Sequence, residues 1–461
     1  MAAQKIFLVN CGFLVGILIA GFFDSSFKIF YFLALAIFLV GVIFLKKYLY
    51  LFSLVFIGLF FAIFYFGIRS DLAEGGYPKV QVGSFRIMSI SETLTSDKSR
   101  RFNAKFLDDY RGKVTVFYSG EDNYKYGQIF LVSGDFKSSE QKGGAPVIFA
   151  KEVKVEGEAR RTIARSLFEF KDKLVAILTR KLSSNAGALA SGLLLGEKST
   201  FSGEFKEAMR KSGTTHIVAL SGFNISILVG ALGFAVSGFA RKTRIFLYFL
   251  TITVFTVMVG AEPSIVRAAI MGCIFLLSKE LGRDITPAYA LSFAGVAMLI
   301  WNPLTIYSVG FQLSFLSFAG IAYLSPIFES IFKNKFGFAF KLGAETFGAQ
   351  IVVLPLVVNY FGGFSAVSFL ANILILGTIP LAMFFVFLLL TTSFIAPIFS
   401  FFFAWICEMI LGYQILMIDF FAKLHVPMGS YFKSGVFTAI YIFLVLGFII
   451  INRERLINER K

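Results

Sequence analysis

Histidine and cysteine are scarce, with two and three residues among 461. A zinc site takes four ligands from Cys, His and carboxylates, and scattered single residues do not supply that set. No metal centre is expected. Cys11, Cys273 and Cys407 all lie in apolar runs, so no extracytoplasmic disulfide framework is expected either. The glycine-rich patterns that cradle nucleotide phosphates are also missing, which excludes a built-in ATP motor and leaves no cofactor to expect. Charged residues make up only 16% of the chain.

What is present is apolar. The chain is 57% hydrophobic, with a mean hydropathy of +0.77. That excludes an ordinary soluble domain and predicts a polytopic α-helical membrane protein. The net charge of +16 has a plain source, since Lys and Arg flank membrane spans on the cytoplasmic side. A polyanionic partner such as nucleic acid would suit the same charge, and charge alone does not separate the two.

Three hydrophobic runs come first, at about residues 6–23, 29–45 and 49–68, each near the ~20 residues that a bilayer needs. The first lacks a small-x-small cleavage site and reads as a retained helix. Lys5 and Lys46-Lys47 place the N-terminus in the cytoplasm and residue 69 outside. Residues 69–158 form the one long polar stretch. Strand-like alternation over Val80–Ile90, Phe102–Leu107, Lys113–Tyr118, Gln128–Phe136 and Val147–Val155, with turn signals between, predicts a small OB-like β-barrel. Residues 159–200 follow as an amphipathic helix, on the membrane surface or across the barrel, and a short apolar piece, interfacial or re-entrant. Helix-length runs then fill 201–452, about nine further crossings for a total of ~11–12. Residues 453–461 are a basic cytoplasmic tail.

Polar residues inside this apolar region are costly and mark sites of interest. TTHIVALSGFNISILV, Thr214–Val229, puts His216, Ser221, Gly222 and Asn224 at a helix start. GAEPSIVRAA, Gly260–Ala269, carries Arg267 with Glu262 five residues before it as a possible partner. GFQLSFLS, Gly310–Ser317, carries Gln312, which alone reads as hydrogen-bonding glue between helices. Gln350, Pro355 and Asn359, and later Asn372, Gly377 and Pro380, mark polar, breakable helices of the sort that line water-filled paths. A nucleophile–base pair of His216 and Ser221 would need a bend to bring them together, and no orienting acid accompanies them. No catalytic residue is assigned.

Five segments in order resemble the ComEC competence-channel family: Gly192–Glu197 (GLLLGE), Phe205–Gly213 (FKEAMRKSG), His216–Ile227 (HIVALSGFNISI), Pro263–Ala268 (PSIVRA), and Asn302-Pro303 with Gly310–Phe315 (GFQLSF). The polar domain after the early helices resembles that family's OB-type domain. The resemblance implies an inner-membrane channel that admits single-stranded DNA during natural transformation. By that match His216, Ser221, Gly222 and Asn224 lie near the pore, and Arg267 and Gln312 lie in the polar core of the same domain. Two departures stand out. The family commonly has His where this sequence has Asn224, and Leu where it has Phe223. Many members also end in a metallo-β-lactamase-like domain, whose His-x-His-x-Asp-His cluster is not found here, so no nuclease activity is expected from these residues.

The resemblance further implies as partners single-stranded DNA, a cytosolic DNA-translocating ATPase, single-strand-binding proteins, an extracytoplasmic DNA receptor and the lipid bilayer, with a homo-oligomer left open. Single strands bind grooves that combine cations with aromatic faces. In the polar domain Arg86, Lys98, Arg100, Arg101, Lys105, Arg111 and Lys113 are candidates for phosphate contact, and Phe102, Phe106, Phe117 and Tyr118 for stacking, although most of these aromatics are expected in the barrel core. Two other functions stay open at this point: a transporter or channel for another solute, and an intramembrane hydrolase using Ser221.

Overall fold

The computed structural model describes residues 2–22, 55, 57–59, 61–62, 65–66, 77–78, 82–91, 94–96, 99–107, 110, 112–119, 122, 124–138, 146–159, 162–218, 222–331, 337–361, 364–365, 367–424, 427–428 and a few positions between 441 and 452. The expected span at 29–45, most of those at 49–68 and 435–452, the basic tail, and the candidates Lys98, Arg111 and Ser221 lie outside these residues. The chain divides into two compact units. One comprises Met1–Arg165, Leu232–Thr253 and Val266–Phe311; the other comprises Ser166–Ala231, Val254–Ile265 and Gln312–Lys461.

The first unit contains a closed barrel. Its strands are β1 (Val82–Ser89), β2 (Leu94–Ser96), β3 (Ser99–Phe106), β4 (Lys113–Tyr118), β5 (Gln128–Lys137) and β6 (Val147–Glu158). Strand β1 pairs with β5, β5 with β6, and β4 with β3, all antiparallel, while β6 pairs with β4 in parallel. Pairing of β3 with β1 closes the ring, and β2 is a short hairpin partner of β3 that the alternation pattern did not foretell. The period of two sorts the side chains. Phe102, Ala104 and Phe106 of β3 point inward with Val114, Val116 and Tyr118 of β4, and Phe130, Val132 and Phe136 of β5 complete the core. Phe102 makes ring contacts with Tyr118, Tyr124 and Phe130 at 5.8, 5.5 and 5.2 Å. Truncating such a buried ring costs about 3–5 kcal/mol. At Ser133/Gly134 the register skips Lys151, a bulge that bends β6 against β5. A Cβ on Gly134 would sit 2.2 Å from the Phe149 carbonyl oxygen, so only glycine permits the approach.

The helices are α1 (Ala2–Phe22), α2 (Ile163–Lys181), α3 (Ser184–Leu195), α4 (Gly203–Ser212), α5 (Gly222–Ala235), α6 (Arg241–Met258), α7 (Pro263–Glu280), α8 (Pro287–Trp301), α9 (Val309–Tyr323), α10 (Ser325–Ile331), α11 (Gly337–Phe361), α12 (Ser368–Leu376), α13 (Ile379–Ile395) and α14 (Ser400–Lys423). Among the described residues, Val309–Ser330 and Pro397–Lys423 are long and apolar enough to cross a bilayer. The pair α12–α13, bent by 46° at its break, makes a third if taken as one span. In the first unit α1 packs on α8, with the Phe7 ring edge-on to Tyr289 at 4.9 Å. Gly12, Gly16 and Gly58 let α1 lie against the helical positions Val55, Gly58, Leu59 and Ala62: a Cβ at Gly12 would meet the Val55 carbonyl oxygen at 1.9 Å, and one at Gly58 would meet that of Val9 at 2.1 Å. This is the small-residue packing by which helices associate in lipid.

In the second unit α14 packs against α13, α4, α3 and α12. The break expected from Asn372, Gly377 and Pro380 is there, between Leu376 and Ile379. Its freed groups find partners: the Thr378 hydroxyl donates to the Ile375 carbonyl at 2.8 Å and accepts from Gln414 Nε2 at 2.9 Å. The break expected at Pro355 is absent, because α11 runs through it. Proline removes the N–H that would bond the carbonyl four residues earlier, which is that of Ile351. The Tyr441 hydroxyl donates to that same carbonyl at 2.9 Å. The helix stays whole because a distant side chain replaces the missing donor. Tyr441→Phe is therefore expected to destabilise the detergent-solubilised protein by about 1–3 kcal/mol, the cost of an orphaned buried acceptor. Adding Pro355→Ala should recover most of that loss in the same unfolding assay by restoring the backbone donor.

Candidate functional site

The second unit carries most of the motifs. Helix α3 is apolar and almost wholly buried, and Gly196 ends it in the left-handed region at φ 69°. The N–H groups of Gly196 and Glu197 bond back to the Gly192 and Ser191 carbonyls at 3.0 and 3.2 Å. The last helical carbonyls need external donors. The one on Leu193 receives it from Asn224 Nδ2 at 2.6 Å. Asn224, 7% exposed, is thus a cap for α3 supplied from α5. Helix α4 starts on Ser202, whose hydroxyl accepts the Phe205 N–H at 3.2 Å. It ends at Gly213, φ 73°, where a Cβ would meet the Ser368 side chain at 2.3 Å. Thr214 is buried, its hydroxyl 2.8 Å from that of Ser212. His216 follows, exposed, on a one-turn 3-10 segment, Thr215–Ile217.

A buried ion pair lies beside these elements. Lys171 Nζ of α2 is 2.6 Å from Glu197 Oε2, with side chains 8% and 6% exposed. The other carboxylate oxygen accepts the N–H groups of Lys198 and Ser199 at 3.1 and 2.9 Å. Burial pushes the Glu197 carboxyl up. The Lys171 charge, with hydrogen bonds from Lys171 and Ser199, outweighs it and holds the group at about 2, against an ordinary 4.5. Lys198 in turn reaches Glu262 Oε1 at 3.3 Å, just before α7, at a turn where Gly260 and Ala261 both have positive φ. Glu262, expected as the partner of Arg267, thus pairs with Lys198. These contacts tie α2, the end of GLLLGE and the start of PSIVRA together. On α2 the buried stripe is Phe168, Lys171, Leu174 and Leu178, whereas Ile163 is exposed. Neither member of the pair was singled out from sequence. The available signal was a lysine on the buried stripe, three residues from Phe168.

The remaining candidates are placed one by one. Gly222 opens α5 in the second unit. Arg267 lies on α7 in the first unit, 8% exposed, with Nη1 3.4 Å from Met271 Sδ. Gln312, half-buried, is on α9 in the second unit. On the barrel Arg86 is held by Glu156 at 2.7 Å. Arg100 is half-buried opposite Tyr118. Arg101 and Lys105 point outward from β3, and Lys113 sits directly across from Lys105 on β4. Phe102, Phe106 and Tyr118 are core, while Phe117 faces out.

Apolar helices tied by internal polar contacts, with a barrel in the same chain, define a helical membrane protein. Residues 193–456, more than half of the chain, match the family model described as "Competence protein", and the chain belongs to that family. It is 27% identical over 203 residues to ComE operon protein 3 of Bacillus subtilis (strain 168), a match covering 44% of this chain. The aligned region spans 26% of that relative's length. No solved structure matches. The ComEC likeness read from the motifs therefore stands.

The buried pair yields a stability prediction. Glu197→Gln or Lys171→Met, which each strand one partner, should cost about 3–5 kcal/mol, whereas replacing both by apolar residues should recover much of it. The folded carboxyl value lies below the unfolded one. The stabilisation is therefore complete above about pH 4.5 and fades as pH falls toward 2. Unfolding midpoints of wild type and Glu197→Gln, measured across that window, should converge at its acid end.

Proposed function

We propose that this chain is a multi-pass channel of the bacterial cell membrane that admits single-stranded DNA during natural transformation. The observation that carries this reading is the competence family match across 193–456, which takes in every quoted motif but its first residue, Gly192. In this reading the shorter apolar helices and the hydrophobic runs outside the described residues bring the crossings to ~11–12. Both termini are cytoplasmic, and the barrel faces outward, where DNA arrives. The barrel's pairing order, with one parallel pair between β4 and β6 and closure of β3 on β1, supports an OB-type fold of the kind that binds oligonucleotides. The chain's own residues provide the path, and a cytosolic ATPase or strand-coating proteins provide the pull.

The pore-near residues in this reading are His216, Ser221, Gly222 and Asn224, the last of them bonded to the end of α3. The test is uptake of labelled DNA into a nuclease-protected cytosolic pool, in a deletion strain and in the same strain with the gene returned. Uptake is expected to vanish and return. An unchanged deletion strain, in a host that demonstrably takes up DNA, would sink the proposal. Within the complemented strain, Asn224→Leu, which removes the donor to Leu193, should lower uptake about tenfold if an orphaned carbonyl costs ~1.4 kcal/mol of the active arrangement. Asn224→His keeps a donor and should stay near wild type.

A further inference from the structure

The barrel wears aromatic rings on its outside as well as its inside. Arg101 of β3, Phe117 of β4 and Phe149 of β6 are direct neighbours across three adjacent strands. The Phe117 and Phe149 rings are stacked, centroids 5.6 Å apart and planes at 23°. The Arg101 guanidinium carbon lies 6.0 Å from the Phe117 centroid. At the other end Lys137 Nζ of β5 lies 5.4 Å from the Phe149 centroid. The order across the sheet is cation, ring, ring, cation. Phe149 is 45% exposed. The barrel core has its own complement of aromatics, so these two rings are not needed to fill it. Two residues back along β3 and β4, Asn103 accepts from the Thr115 hydroxyl at 3.0 Å. Beyond that pair Lys105 and Lys113 oppose each other. Like charges directly across a sheet repel, and an anion between them removes the penalty. Arg101, Lys105, Lys113 and Lys137 have no carboxylate partner among the described residues. The nearby Asp135 is occupied by Lys151 at 3.0 Å.

We propose that this outer face, across β3, β4, β6 and β5, is a stacking platform for single-stranded nucleic acid. Phe117 and Phe149 offer base-sized surfaces, and Arg101, Lys137, Lys105 and Lys113 meet phosphates. The inference rests on the DNA-uptake reading and names where the strand first binds. An exposed cation–ring contact is weaker than a base stacked on the same ring. A base therefore displaces Arg101 or Lys137 from its ring, and the displaced cation, still tethered beside it, turns to the adjoining phosphate. Every base has a π-face, so the platform is indifferent to sequence. In a duplex those faces are already stacked, so single strands are preferred. A lipid surface would also take exposed rings and cations. The Asn103–Thr115 pair and the Asp135–Lys151 pair beside the rings make this face too polar to insert, which favours the nucleic acid.

The experiment uses the full chain in detergent or nanodiscs and fluorescence anisotropy with a labelled oligothymidine, a mixed-sequence oligonucleotide and the matching duplex. Wild type should bind both single strands alike and the duplex more weakly. Phe117→Ala and Phe149→Ala should each weaken single-strand binding about tenfold. Phe149→Tyr should stay near wild type. Phe149→Leu, which keeps the apolar bulk and removes the π-face, should weaken binding as the alanine does. Arg101→Gln and Lys137→Gln should each lower the salt slope by about 0.7. Single-strand binding unchanged in the double ring variant overturns the platform and leaves the uptake reading standing. Wild-type protein that binds no oligonucleotide, whether or not it binds anionic vesicles, overturns the platform and removes the barrel's part in the uptake reading.

Discussion

A backbone carbonyl or amide without a partner is expensive wherever water is excluded, and the second unit is arranged around that constraint. The helix interrupted between α12 and α13 hands its loose carbonyl to Thr378 and leans on Gln414. The helix carrying Pro355 borrows a hydroxyl from Tyr441. The end of α3 borrows an amide from Asn224. In the last two cases the donor comes from another helix, so the repair of one helix also fixes its neighbour. The Asn372 amide, 1% exposed, is a place among the described residues where a repair of this kind is not seen.

The buried ion pair obeys the same logic at higher stakes. A charge taken out of water needs both an opposite charge and hydrogen bonds for its remaining lone pairs. Glu197 has both, from Lys171 on one side and two backbone N–H groups on the other. That arrangement gives a physical reason for GLLLGE to end as it does. The glycine turns the chain through a left-handed residue, and the acid that follows is presented to both α2 and its own turn.

Much of the barrel was legible because strand periodicity is local. The stretch Lys113–Tyr118 is bounded in the structure as its alternation predicts, with Val114, Val116 and Tyr118 inside and Phe117 outside. Phe149 obeys the same rule, next to inward Ile148, yet its significance depended on β6 running parallel beside β4, which no local pattern states. The extra strand β2 is three residues long and carries no alternation to read. Helix positions were legible from hydrophobic length. Helix continuity was not: Pro355 and Gly377 look alike as breakers, and what separates them is a tyrosine 86 residues further on. In the motif region His216 and Asn224 drew attention as polar residues in apolar surroundings, but the role of Asn224 as a cap for α3 needed the third dimension. Lys171 was hidden among the many lysines of an amphipathic helix.

The identity of the side chain at 224 has one more consequence. An asparagine amide neither gains nor loses a proton, and the carboxyl of Glu197 keeps its charge down to strongly acid solution. Neutral to mildly acid solution therefore leaves both of these ties to α3 and its flanking turn in place.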